Sequence, residues 1–225
     1  MKHYKLFLIV LFTSLVFAQT KETPIALVQK VVRTVDYKPL KLDWQPAKPG
    51  IPLRNGEEVR TGNKSLAIIR FLDGSLVRVR PNTTLNVYGK SNKGKQQTNT
   101  VVASGEINFE VKKQENDEFT FTTPTGIASI RGTSGNIEVP DQASSVFILE
   151  TGVMELQATK GEKGKATLRA GNSAIINSQG KVKISVLSAQ DKRKLRNAKL
   201  TNVKKMRIKT EEGTYEIEYF DAKKQ

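Results

Sequence analysis

The chain contains no cysteine. That absence removes disulfide bonds, thiolate metal ligands and thiol nucleophiles together. Its one histidine, His3, lies in an N-terminal segment that reads as removable, so the expected mature chain has no imidazole. The commonest general base, the commonest transition-metal ligand and the usual partner of a nucleophilic serine are therefore missing. Composition leaves open only chemistry by paired carboxylates, and no motif points to it. The expectation is a protein that is not an enzyme, with no cofactor and no metal. Aromatic residues make up 7% of the chain and are not interleaved with the basic ones, which argues against a stacking platform for single-stranded nucleic acid. Beyond the N-terminus there is no long apolar run, so no membrane-spanning helix is expected in the mature chain.

The N-terminal segment, residues 1–18 (MKHYKLFLIVLFTSLVFA), has the form of a secretory signal. Lys2 and Lys5 precede an apolar run over residues 6–17, and Val16 and Ala18 stand at the small-residue positions before an expected cleavage. No cysteine follows, so a lipoprotein anchor is ruled out. The expected location is periplasmic or extracellular. The formal charge of +15, from 37 basic and 22 acidic side chains, favours anionic neighbours such as a membrane surface, an envelope polymer or an acidic protein.

Residues 23–35 (TPIALVQKVVRTV) do not settle on one hydrophobic period, but their β-branched content suggests an opening strand. Prolines 39, 46, 49 and 52 then mark residues 37–54 as an extended connector. That connector carries Trp44, expected to cap the core. From Gly56 onward, short runs alternate apolar with polar residues between Gly, Asn and Asp, which is a succession of strands. Asp73-Gly74 between two such runs predicts a hairpin with a two-residue type I′ turn. Residues 89–98 (GKSNKGKQQT), 112–118 and 160–165 are polar and read as loops.

A recurring unit, a small residue and a glycine before a strand, is found at Gly62, Gly105, Gly126, Gly152 and Gly171. Glycine there supplies the corner at which one strand gives way to the next. Intervals of 43, 21, 26 and 19 residues exclude a ladder of fixed period. The predicted architecture is all-β: a compact β-roll or short irregular β-solenoid, with a β-sandwich as the alternative. Residues 188–200 are helical in propensity, with Ser188 as N-cap and Asp191 three residues on. Two alternating runs around Glu211-Glu212-Gly213 predict a terminal hairpin whose apolar face docks on the body or on a partner. The expected organisation is a signal at 1–18, a strand and connector at 19–55, a β-domain at 56–187, and a basic helix with a hairpin at 188–225.

Residues 56–87 (GEEVRTGNKSLAIIRFLDGSLVRVRPNTTLNV), 119–139 (FTFTTPTGIASIRGTSGNIEV) and 149–158 (LETGVMELQA) together resemble the FecR domain family. That family is named for the regulator of ferric-citrate uptake, whose domain lies outside the inner membrane and relays a receptor's state to a sigma factor. The regulator also has a cytoplasmic anti-sigma segment and a transmembrane helix. This chain reads as a stand-alone exported domain without them. The resemblance implies an envelope β-module with no catalytic residues.

Individual motifs read as structural. Asp73-Gly74-Ser75 is a turn with its carboxylate on backbone N–H groups. Arg131-Gly132-Thr133 closes a strand, with Arg131 pairing or snorkelling rather than binding an anion. The densest charge includes Lys192, Arg196 and Lys199, which share a helix face, and then Lys204 and Lys205. These five could engage an anionic surface. The functional expectation is an exported module for protein interaction or sensing in the envelope, or alternatively a structural protein that binds glycan or an anionic surface. Its partner is an unidentified envelope protein or anionic polymer, with peripheral membrane contact allowed and nucleic acid not expected.

Overall fold

The computed structural model describes residues 23–92, 95–113, 118–199, 203–210 and 213–220. The first half contains β1 (Ala26–Val32), β2 (Val35–Lys38), β3 (Gln45–Pro46), β4 (Pro52–Leu53), β5 (Glu58–Thr61), β6 (Leu66–Phe71), β7 (Leu76–Val79), β8 (Thr84–Asn92) and β9 (Lys95–Glu110). The second half contains β10 (Glu118–Thr122), β11 (Gly126–Ile130), β12 (Ser134–Val139), β13 (Ser144–Thr151), β14 (Val153–Ala158), β15 (Lys165–Arg169), β16 (Asn172–Asn177) and β17 (Val182–Val186). The helix α1 (Ala189–Lys199) follows, and then β18 (Val203–Thr210) and β19 (Gly213–Phe220) pair as a hairpin. The fold is all-β with a C-terminal helix and hairpin. The expected signal at residues 1–18 lies outside the described residues.

The first seventeen strands form two facing layers. Sheet A runs β4, β1, β6, β7, the second half of β9, β12, β13, β16, β17. Sheet B runs β3, β2, β5, β8, the first half of β9, β10, β11, β14, β15. Among the described residues every pairing is antiparallel except β9 with β10. Successive hairpins alternate between layers, which is the course of a roll. The antiparallel ladders and one common core give the layers the packing of a sandwich.

Alternation along the strands sends one set of side chains into that core. Phe71 and Phe109 from sheet A meet Phe119 and Phe121 from sheet B, with ring centroids 5.0 and 4.9 Å apart, and Phe119 and Phe121 lie 5.2 Å from each other. Each such pair adds about 0.5–1.5 kcal/mol beyond the apolar area it buries.

The opening segment is built differently from the single strand expected. β1 and β2 are separate strands, divided where Arg33 takes a left-handed φ of 59°. Within β1 the register shifts between Val28 and Lys30. Ala26 and Val28 face the core before that bulge, and Val31 takes the inward place after it. One extra residue inverts the alternation, which is why these apolar residues fit no single period. β1 is a full member of sheet A, since Ile25, Ala26 and Val28 belong to the common core.

Two further expectations are corrected. Residues 89–92 and 95–98 are strand rather than loop, because the β8–β9 pairing continues from Leu85↔Val102 out to Asn92↔Lys95. The hairpin at Asp73-Gly74 has a three-residue loop, Leu72, Asp73 and Gly74, in which only Gly74 is left-handed, at φ 83°. A glycine closing a longer loop replaces the two left-handed residues of a type I′ turn.

Candidate interaction surface

Several of the changes of layer fall at glycines with positive φ, while others turn at Arg33, Lys64 and Asn82. Gly105 (φ 91°) stands where β9 passes from sheet B to sheet A, and Gly152 (φ 82°) where β13 gives way to β14. A Cβ on Gly105 would lie 2.6 Å from Thr83 Cα, and one on Gly152 2.6 Å from Thr133 Cγ2. Both positions therefore demand the missing side chain as well as the backbone angle. Gly132 and Gly171 occupy the β11–β12 and β15–β16 switches. Gly62 and Gly126 have no positive φ. Gly126 instead makes room for Ile176, whose Cδ1 a Cβ would displace.

Asp73 is consumed by its own loop: its carboxylate accepts the Ser75 amide at 2.8 Å and the Ser75 hydroxyl at 2.7 Å. Ser75 Oγ accepts in turn from the Lys112 amide at 3.1 Å. Arg131 is exposed at the end of β11, and Thr133 is buried beside it.

The outer face of sheet A carries a charged network. Arg78 on β7 donates to Asn108 Oδ1 at 3.0 Å and to Glu110 Oε1 at 2.8 Å on β9. Asn136 on β12 donates to Glu106 Oε1 at 2.8 Å, and Asn108 donates to the Gly135 carbonyl at 2.9 Å. Burial pushes the Arg80 guanidinium below its usual range, Glu106 opposes that shift, and Arg78 adds to it. The helix α1 lies over this face, against β9, β12 and β13. Its start is the capping box expected from Ser188 and Asp191: Ser188 Oγ accepts the Asp191 amide at 3.1 Å, and Asp191 accepts the Ser188 amide at 2.9 Å. Leu195 is buried beneath the helix, and Lys194 pairs with Glu138.

Docking in this way turns the remaining cations outward. Lys192, Arg193 and Arg196 are exposed. Lys199 ends the helix, and Lys204 and Lys205 lie on β18; the side chains of these three are outside the described residues. The apolar residues of β19 on which docking of the hairpin was expected are likewise outside them.

Trp44 is not the core cap that its sequence position suggests. It is half-buried on the outer face of sheet B, with the Arg60 guanidinium 4.2 Å from its ring centroid and Lys38 Nζ at 5.9 Å. Arg60 Nε donates to Asp36 at 3.0 Å. On the same sheet a groove of about 390 Å³ is lined by Asn55, Tyr88, Lys90, Gln97, Asn99 and Glu118. A shallower depression includes Glu118 and Glu155. Both carboxylates face solvent, and Glu155 accepts from Thr167 at 3.0 Å. Among the described residues no group of three or more metal-ligating side chains forms.

In the comparison with protein-family models, residues 57–154 match the family described as FecR protein. Residues 57–154 are FecR-like. The match spans the first two sequence blocks and the opening of the third, and it takes in β5 through β13 in both layers. Two crystal structures of a candidate anti-sigma factor from Parabacteroides distasonis ATCC 8503 share the FecR-like fold, each with a TM-score of 0.50 at 18% identity. The superposition covers 59% of this chain and 61% of theirs, so the chain spans about three fifths of those structures. No curated protein matches it.

The two edge strands at the C-terminal end of the layers, β15 and β17, were not distinguishable in the sequence. Both read there as ordinary alternating runs. Edge position is set by pairing partners that lie elsewhere in the chain.

Proposed function

We propose that this protein is an exported, non-enzymatic FecR-domain module that binds another component of the cell envelope and senses or relays its state. The observation that carries the reading is the FecR domain itself, which forms the centre of both layers. The similar fold belongs to a protein described as a candidate anti-sigma factor, a regulatory class. The polar groups on the outer face of sheet A support a binding role over a chemical one, because they bond to one another and fasten a helix. Export rests on the N-terminal segment. Among the described residues no helix is long and apolar enough to cross a membrane. Crosslinking in intact cells tests the proposal. Stoichiometric capture of one envelope protein supports it, and repeated capture of none overturns it.

The outward cations of α1 favour a second reading, attachment to an anionic surface. Retention on anionic vesicles that falls steeply between low and high salt supports it. Absent or salt-independent retention removes it.

A further inference from the structure

The two layers end together, sheet B at β15 and sheet A at β17, and the two edges differ in kind. Asn177 donates to the Lys181 carbonyl at 3.2 Å and Leu187 donates to the Gly171 carbonyl at 3.1 Å. These bonds fix the phase of the β16–β17 ladder. Lys181, Lys183, Ser185 and Leu187 turn their backbone toward β16, while Val182, Ile184 and Val186 turn theirs away. Among the described residues no strand pairs with that outer side. On β15 the same argument, from Ala158 donating to Gly164 and Ala170 donating to Gly152, gives the outward backbone to Lys165, Thr167 and Arg169.

The β15 edge is thus guarded by cations, a common defence against stray pairing. The β17 edge offers outward N–H and C=O groups, with Gly164 of the β14–β15 loop beside Val182, on residues whose side chains are aliphatic and on the core side. Ile184 is 44% exposed and Val186 77% exposed. Six cations flank this end over residues 159–187, namely Lys160, Lys163, Lys165, Arg169, Lys181 and Lys183. Within that stretch the one acid is Glu162, which pairs with Lys181 at 3.7 Å, while Glu155 of the adjacent β14 is bonded to Thr167. The local balance is 6 − 1 = +5.

We propose that β17 is a docking edge for an extended acidic peptide segment of a partner protein, added as a further strand of sheet A. This proposal rests on the reading of the chain as a binding module. The added strand would take the outward groups of Val182, Ile184 and Val186. Its alternate side chains would be aliphatic, extending the core over Ile184 and Val186, and its others acidic, facing the side that carries Lys181 and Lys183. A second copy of this chain is the weaker occupant, since it would bring one +5 end against another.

The test uses the whole protein and two synthetic eight-residue peptides, one alternating glutamate with valine and one alternating lysine with valine. The glutamate peptide should bind, weaken with salt, and slow hydrogen exchange at the amides of Val182, Ile184 and Val186. Ile184→Pro removes one outward donor without breaking a bond to β16, and should weaken that binding by roughly tenfold or more. Should this variant fail to fold, exchange on the unaltered protein decides. The proposal is overturned by absent binding, by equal binding of the lysine peptide, or by binding that leaves the three amides unprotected. It is also overturned if the free protein is a dimer that already protects them. Crosslinking repeated with Ile184→Pro separates the two ideas. A partner still captured by the variant leaves the binding module intact and locates its surface elsewhere, whereas capture by neither form removes both.

Discussion

Lys194 of α1 is paired with Glu138 on β12, fifty-six residues earlier in the chain. The pair joins the terminal helix to the outer face of a sheet whose other face is the core. Its side chains remain 30% and 28% exposed, so water still screens it. Buried Leu195, the next residue, is expected to hold the helix more firmly.

Leu195→Ala should therefore cost about 2 kcal/mol or more, and Lys194→Ala no more than about 1 kcal/mol. Urea unfolding of both variants, with limited trypsin digestion after residue 187, checks the ranking. Equal costs would show that charge rather than burial holds the helix.

Gly105→Ala and Gly171→Ala separate two penalties. Both glycines have positive φ, but nothing lies within 4 Å of a Cβ built on Gly171. Gly171→Ala should cost about 1–2 kcal/mol, from backbone conformation alone. Gly105→Ala adds a collision with Thr83 and should cost about 1–3 kcal/mol more. Denaturant midpoints measure both.

Asp141 gives a pH dependence. The Ala143 amide, followed by the hydroxyl and amide of Ser144, holds its carboxyl below the ordinary 3.8, against desolvation. A depressed folded value stabilises above the unfolded pKa, and the gain is lost as pH falls through the folded one. At pH 7 the native chain should melt above Asp141→Asn, with the gap closing below about pH 3.8. A gap that persists unchanged in acid would contradict this.

Trp44 is the only tryptophan, and Arg60 is the nearer of the two cations over its ring. Removing its cation partner by Arg60→Ala should shift the emission to longer wavelength and cost about 0.5–1 kcal/mol. An unchanged spectrum would mean the stack does not persist in solution.

Most strands from β5 onward were legible because alternation and turn residues act locally. What was not legible depended on partners distant in sequence. The bulge in β1 scrambled its own period, and only pairing with β6 shows which residues face inward. The polar text of residues 89–98 resembles a loop, yet backbone pairing needs no apolar side chain. Trp44 was misplaced because an aromatic suggests burial, while Arg60 offered its ring a partner on the outside. The layer-changing glycines announced themselves by recurrence, although Gly62 and Gly126 share the motif without sharing the backbone angle. The β17 edge was invisible, since an unpaired side is a property of the assembled sheet.

One strand, β9, belongs to both layers, so a single run of hydrogen-bonded backbone passes from one to the other without leaving the ladder. The layers cannot shear past each other without rotating bonds around Gly105, where Thr83 leaves no slack. Mechanical load applied to one leaf must be borne by its neighbour, so the body should rupture and melt as a single piece.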